Sequence, residues 1–329
     1  MEQYLELVRE VLEEGTFKDN RTGVHTIASF SHHYTIDLRE GFPLLTTKAM
    51  DGAVWDSLRH ELVWYLSGNE HIRELREHTG IWDAWADEEG HLDTAYGRFW
   101  RRFPLPAEEL PGESWTESDH RWVNEDESTF DQVRYVLDGL EENPHSRRFV
   151  VSAWHPANAT VSTLPPCHYT YTVSVHDGRV NLHLMQRSGD VALGIPFNIA
   201  AYSVLATIFA QRAGLEVGEF GHTIVDAHIY CGKGKRGSWY AEQLPAFQEH
   251  MHSVSDRAEY AEAREWLEST APEGDGYDHV PNLLEQLTRD PTERPRLHVE
   301  NVPIDDLTVD DIQLHGYQSA DRLRFQVAE

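Results

Sequence analysis

One stretch limits the folds open to this chain more than any other. Between His168 and His176 polarity alternates without a break: Tyr169, Tyr171, Val173 and Val175 face one way, and Thr170, Thr172, Ser174 and His176 the other. Asp177-Gly178 supplies a two-residue hairpin turn, and Val180 to Gln186 returns as the partner strand. Soon after comes an apolar stretch, Pro196 to Ala213, with proline at its start and Gly214 at its end, which reads as a core helix. A hairpin with one apolar face beside a helix of this kind implies an α+β fold with strands clustered mid-chain. The pairing also constrains the chemistry. If the strands close through Asp177-Gly178, Cys167 and Arg187 stand at the same open end of the hairpin.

The remaining segments fit the same class. Residues 2–14 read as a helix with Leu5, Val8 and Leu12 on one face and Gly15 as the stop. His25 to Leu38 reads as one or two strands. Trp55, Leu58, Leu62, Tyr65 and Leu66 fall at helical spacing before Gly68, and they bring Glu61 close to the apolar side, where a carboxylate needs a partner or a task. Phe130 to Leu140 is helical, Arg148 to Trp154 is a short strand, and Gly221 to Tyr230 is another. Two charged stretches, at about 104–127 and 232–295, read as insertions, the second with a helix near Asp256 to Glu268. The tail after Arg296 reads as one or two strands. Residues 1–329 are therefore taken as one domain, because the second insertion is too poor in apolar residues for a core of its own.

Charge narrows the function. With 56 acidic and 28 basic residues the net charge is −28, and a surface this negative repels nucleic acids and anionic membranes. Lysine occurs only at 18, 48, 233 and 235, so arginine supplies nearly all the positive charge. Acid excess with scarce lysine suggests a halophilic protein from a salt-rich cytosol, where screening suppresses self-repulsion. The acidic, amphipathic N-terminus is unlike a signal peptide, and no apolar run reads as long enough for a bilayer. The expectation is a cytoplasmic protein with no nucleic-acid or membrane partner.

Two cysteines, Cys167 and Cys231, are too few for a disulfide framework, and 20 histidines show no metal-ligand spacing, so no metal is expected. Pro166-Cys167-His168 sits at a loop-to-strand junction, where a cysteine is ordinarily a small buried hydrophobe. Arg187 at the same hairpin end would favour the nucleophilic thiolate. Arg21, Arg147, Arg148 and Arg187 would suit phosphate oxygens if they converged, although each alone reads as a surface arginine. Asn198, near the start of the apolar helix, is either a local hydrogen bonder or a reader of a pyrimidine edge.

The order of these pieces resembles the thymidylate synthase family. The resemblance is carried by Asp19-Asn20-Arg21-Thr22-Gly23, Phe42 to Lys48, His60-Glu61-Leu62, Ile81-Trp82-Asp83-Ala84-Trp85-Ala86, Tyr96-Gly97 and Ser146-Arg147-Arg148. It continues through Pro166-Cys167-His168, Gln186-Arg187-Ser188-Gly189-Asp190, Gly194 to Asn198, and Asp226-Ala227-His228-Ile229-Tyr230. It implies a mixed or antiparallel twisted sheet packed by helices, with one sheet face forming a homodimer interface. It implies reductive methylation of dUMP to dTMP, with 5,10-methylenetetrahydrofolate consumed as donor of a methylene and then a hydride.

The resemblance also implies roles. Cys167 would add to C6 of dUMP. Glu61, Tyr96 and His168 would serve proton transfer, and Arg187 and Asn198 would act beside them. Arg21, Arg187, Ser188, Gly189 and Asp190 would bind the nucleotide from one subunit and Arg147 and Arg148 from the other; Asn198 would meet the uracil edge, and His228, Ile229 and Tyr230 the ribose end. Trp82, Trp85, Leu164, Asp190, Leu193, Phe197 and Ala328 would shape the folate pocket. Ala49 stands where a basic residue is common, Asp51 would repel an anionic tail, and Cys231-Gly232 replaces the usual Asn-His. Two rivals remain: a hydroxymethylase of the same fold and a non-catalytic nucleotide-binding protein. Asn198, where a cytosine-acting member would carry Asp, favours uracil.

Overall fold

The computed structural model describes residues 1–20, 23–92, 95–106 and 120–328. The N-terminal amphipathic stretch forms α1 (Glu2–Glu14), which buries Tyr4, Leu5, Val8, Val11 and Leu12. It stops at a residue where only glycine fits: a Cβ on Gly15 would lie 2.3 Å from the Val11 carbonyl oxygen and 2.6 Å from the Ile27 side chain. Strands β1 (Thr16–Lys18) and β2 (Thr26–Asp37) follow, then α2 (Ala53–Ser67), which ends at Gly68 in the left-handed region, φ 73°. Two short helices, α3 (Arg73–Arg76) and α4 (Tyr96–Arg101), lead to a small sheet of β3 (Phe103–Pro104), β4 (Val123–Asn124) and β5 (Thr129–Phe130). That sheet brackets the first charged stretch, of which residues 107–119 lie outside the described residues.

Helix α5 (Gln132–Glu142) and β6 (Val150–Ser152) precede the hairpin of β7 (Thr170–His176) and β8 (Arg179–Gln186). Asp177 and Gly178 both have positive φ, 51° and 75°, as the two-residue turn requires. The register runs from His176 opposite Arg179 to Thr170 opposite Met185. Short β9 (Gly189–Asp190), helix α6 (Gly194–Arg212) and β10 (Glu216–Tyr230) complete the main sheet. Its order is β1-β2-β10-β8-β7-β6, with β9 also beside β10. Strand β10 is antiparallel to β2 but parallel to β8 and β9, so the sheet is mixed.

Helix α6 corrects one expectation. By length and apolarity it could cross a bilayer, yet most of it is buried within the protein. Thirteen of its residues, from Ile195 to Ala210, are buried, because α6 is a core helix apolar on all sides.

The second charged stretch holds more structure than the one helix expected: α7 (Gly234–Ser253), α8 (Tyr260–Thr270) and α9 (Val280–Leu287). Tyr240, Leu244, Phe247, Met251, Leu267, Leu283 and Leu284 from these helices join the central core. The chain leaves the sheet at Cys231 and returns beside it at Asp278, where His279 N–H donates to the Tyr230 carbonyl over 2.9 Å. A buried pair seals this root: Arg236 Nε lies 2.6 Å from Asp278 Oδ2, with the two side chains only 4% and 1% exposed. Strands β11 (Arg296–Val299) and β12 (Ile312–His315) form a last antiparallel pair.

Candidate active site

The open end of the hairpin gathers the reactive groups. Arg187 N–H donates to the Cys167 carbonyl over 2.9 Å, which continues the β7–β8 pairing past the strand ends. The guanidinium is then clamped: Nε donates to the Pro166 carbonyl at 3.0 Å and Nη2 to the Pro165 carbonyl at 2.6 Å. Nη2 also points at Cys167 Sγ, 3.6 Å away. Trp154 lies against the other side of Arg187, 5.8 Å from its ring centre to the guanidinium carbon. Burial pushes the Cys167 thiol up, and Arg187 pulls it down. The guanidinium thus favours the thiolate as expected, but desolvation is the larger effect.

Three aromatic groups hold this end. Cys167 N–H donates to the Tyr96 hydroxyl over 2.8 Å. Tyr96 and His168 stack at 3.8 Å with rings 2° from parallel, and His168 Nδ1 is 2.7 Å from the Tyr202 hydroxyl. Burial lowers the His168 pKa to about 3, so the ring is neutral. Glu61 approaches from α2. Among the described residues it has no arginine partner; Trp82 Nε1–H donates to it over 2.7 Å, and Tyr65 also hydrogen-bonds to it. Burial raises its pKa to about 7, and those two donors pull it down only in part. A cavity of about 10 Å³ lined by Glu61, His168, Asn198 and Tyr202 among others is the size of one water.

Asn198 is held by a chain of amides. Its Nδ2 donates to Gln186 Oε1 at 3.0 Å, and Gln186 Nε2 donates to the Ser188 carbonyl at 2.9 Å. Ser188 Oγ lies 3.5 Å from His228 Nδ1. His228 in turn neighbours Asp226, whose pKa falls to about 2 through hydrogen bonds from His228 and Lys18. Gly189 has no room for a side chain, since a Cβ would meet Ile195 Cδ1 at 2.4 Å. Asp190 Oδ1 accepts from the Ala192 and Leu193 amides at 2.8 and 3.2 Å, ahead of α6.

The aromatic side of the site contains Trp82, 5.7 Å from Trp85 and 6.0 Å from Tyr96 between ring centres. Trp85 and Leu164 line a neighbouring cavity of about 80 Å³. Leu193 and Phe197 are half-buried at the start of α6, and Ala328 is half-buried at the far end of the chain. The tail before Ala328 is tied down: Gln326 N–H donates to the Gly276 carbonyl at 3.2 Å, and Lys48 Nζ sits 4.8 Å from the centre of the Phe325 ring.

Not every candidate converges. Arg147 and Arg148 are exposed just before β6, and neither pairs with a carboxylate among the described residues. Ile229 turns its side chain into the core. Arg21 lies outside the described residues. Four contributors escaped the sequence reading: Tyr65, Tyr202, Gln186 and His222. Gln186 opens the Gln186-Arg187-Ser188-Gly189-Asp190 motif, but its role depends on partners from α6 and β10, which no local signal reveals. Among the described residues, no three His, Cys, Asp or Glu side chains gather as a metal site.

Comparison with known proteins gives the family. The profile of the family described as "Thymidylate synthase" matches residues 2–329. A thymidylate synthase of Haloferax volcanii is 62% identical over 328 residues, covering 98% of this chain and 96% of that protein. Both matches run through the second charged stretch as well as the ordered motifs around Cys167, and the chain belongs to the thymidylate synthase family.

Proposed function

We propose that this chain converts dUMP to dTMP with 5,10-methylenetetrahydrofolate, through a covalent bond between Cys167 and C6 of the uracil ring. The observation that carries the reading is Cys167 Sγ 3.6 Å from the clamped Arg187 guanidinium, with His168, the next residue, lining one small cavity together with Asn198 and Glu61. The thiolate adds to C6, and the displaced electron pair makes C5 an enolate carbon that attacks the one-carbon donor. The folate supplies a methylene, its own bond to that carbon breaks as the C5 proton leaves, and the hydride it then gives adds to that carbon as the Cys167 sulfur is expelled from C6, which frees dTMP and the thiolate. Loss of the C5 proton needs a base, and a Glu61 with a pKa near 7 is divided between acid and base forms at neutral pH. Tyr96 and neutral His168 fix the backbone at Cys167. Arg187, Ser188 and Arg21 hold the phosphate, and His228 and Tyr230 hold the ribose. Trp82, Trp85, Leu164, Leu193 and Phe197 offer the aromatic and apolar walls a pterin needs, and Asp190 keeps one carboxylate oxygen for its N–H groups. Ala328 belongs to the tail that covers them.

In this reading the working unit is a homodimer. The face of the sheet turned away from α1 and α6 carries Phe30, Val225 and Met185, which are 80%, 40% and 37% exposed. A second copy seated there buries that apolar surface and brings Arg147 and Arg148 to its partner's phosphate. Mixing Cys167→Ala subunits with Arg147→Ala/Arg148→Ala subunits is then expected to restore about a quarter of wild-type activity, since half the dimers are mixed and each holds one intact site. Two variants that remain inactive after exchange of subunits would contradict a shared site.

The reaction is tested by tritium release from [5-³H]dUMP with methylenetetrahydrofolate in high salt, followed by the mass of the product. Release with a methyl product supports the proposal. A hydroxymethyl product points to the rival chemistry of the same fold, and binding without release to a non-catalytic nucleotide protein.

A further inference from the structure

We infer that His222 and Tyr34 are positioning residues that set the preference for uracil over cytosine by fixing which way the Asn198 amide faces. The inference rests on the reading above, in which Asn198 meets the pyrimidine.

One acceptor in this network cannot change its role. The Ser188 carbonyl can only accept, so the Gln186 group 2.9 Å from it is the amide nitrogen. Gln186 Oε1 therefore faces the other way and requires donors. It receives two: Asn198 Nδ2–H at 3.0 Å and His222 Nε2–H at 2.9 Å. With Nε2 protonated, His222 Nδ1 is the acceptor, and it takes the Tyr34 hydroxyl proton over 2.7 Å. His222 is fully buried on β10, and burial holds its pKa down to about 3, so the ring stays neutral and keeps both roles.

The consequence falls on Asn198. One Nδ2 hydrogen is committed to Gln186, which leaves the other hydrogen and Oδ1 for the ligand. That pair complements uracil, whose O4 accepts and whose N3–H donates. Cytosine presents the reverse, an N4 donor and an N3 acceptor. If Gln186 were to flip, its NH₂ group would face the His222 donor at hydrogen-bond distance, so His222 guards the amide order, and the Tyr34 hydroxyl supports it by satisfying the other ring nitrogen.

The test measures dUMP and dCMP binding to the full chain by calorimetry in high-salt buffer, for wild type, His222→Phe and Tyr34→Phe. Wild type is expected to prefer dUMP. His222→Phe should narrow the dCMP-to-dUMP ratio of dissociation constants by about tenfold, the worth of one buried hydrogen bond. Tyr34→Phe should narrow it by a few-fold in the same direction. A purely structural role would weaken both nucleotides alike, and an unchanged ratio in the folded variants overturns the inference. If His222→Phe does not fold, Tyr34→Phe, which removes a single hydroxyl, decides alone. A wild type without preference for dUMP removes the Asn198 reading itself, and the inference with it.

Discussion

Cys167→Ala is expected to lose turnover by on the order of 10⁴-fold or more while dUMP still binds. Without the sulfur no bond to C6 forms, C5 stays unactivated, and the folate has nothing to react with. The phosphate, ribose and uracil contacts assigned to arginines, His228, Tyr230 and Asn198 do not involve the thiol, so binding survives. The other cysteine cannot substitute. Cys231 is fully buried, and burial beside Asp278 pushes its thiol well above the ordinary range. Titration calorimetry together with tritium release checks both halves. Binding lost along with turnover would mean that the cysteine is structural, and turnover retained would remove the covalent mechanism.

Glu61→Gln gives the second large effect, a fall in turnover of about 10² to 10⁴, the usual range for a lost general acid or base. It should also make the protein more stable at alkaline pH. The Glu61 pKa rises from 4.5 to about 7 on folding, so the folded state binds more protons than the unfolded state across that window. Stability from this group is therefore greatest below about 4.5 and is lost as pH rises toward 7 and beyond. Glutamine keeps the acceptor for Trp82 Nε1–H but carries no charge to desolvate. Urea unfolding at pH 5 and pH 8 should show wild type and variant close together at the lower pH and the variant ahead at the higher. Wild-type kcat/KM should show a limb near pH 7 that the variant lacks. A variant that is less stable at pH 8 would mean Glu61 is a structural ion rather than a destabilised base.

Much of the site was readable because it is local. Strict alternation from Tyr169 to Val175 and the Asp177-Gly178 turn define the hairpin register, and that register alone sets Cys167 beside Arg187. Helical spacing placed Glu61 near the apolar side of α2. What stayed hidden depends on contacts between distant segments. The parallel pairing of β10 with β8 has no local signature. Helix α7 carries Gly237 and Pro245 inside it, both weak or breaking signals for a helix. Gly237 is there because a Cβ would lie 2.0 Å from the His25 ring. The thinness of apolar residues in this stretch was real, but its helices need no core of their own because they share the central one. His222 read as an ordinary strand position, since nothing in its neighbours in sequence announces Tyr34 or Gln186.

The central claim is a bond from the sulfur of Cys167 to pyrimidine C6. It is tested most directly with 5-fluoro-dUMP, because fluorine at C5 cannot leave as a proton and the reaction stalls with the enzyme attached. After incubation with methylenetetrahydrofolate in high salt, peptide mass spectrometry should find the nucleotide on the peptide containing Cys167 and leave Cys231 unmodified. An unmodified Cys167 in protein that binds the nucleotide, or an adduct at Cys231, would contradict the account.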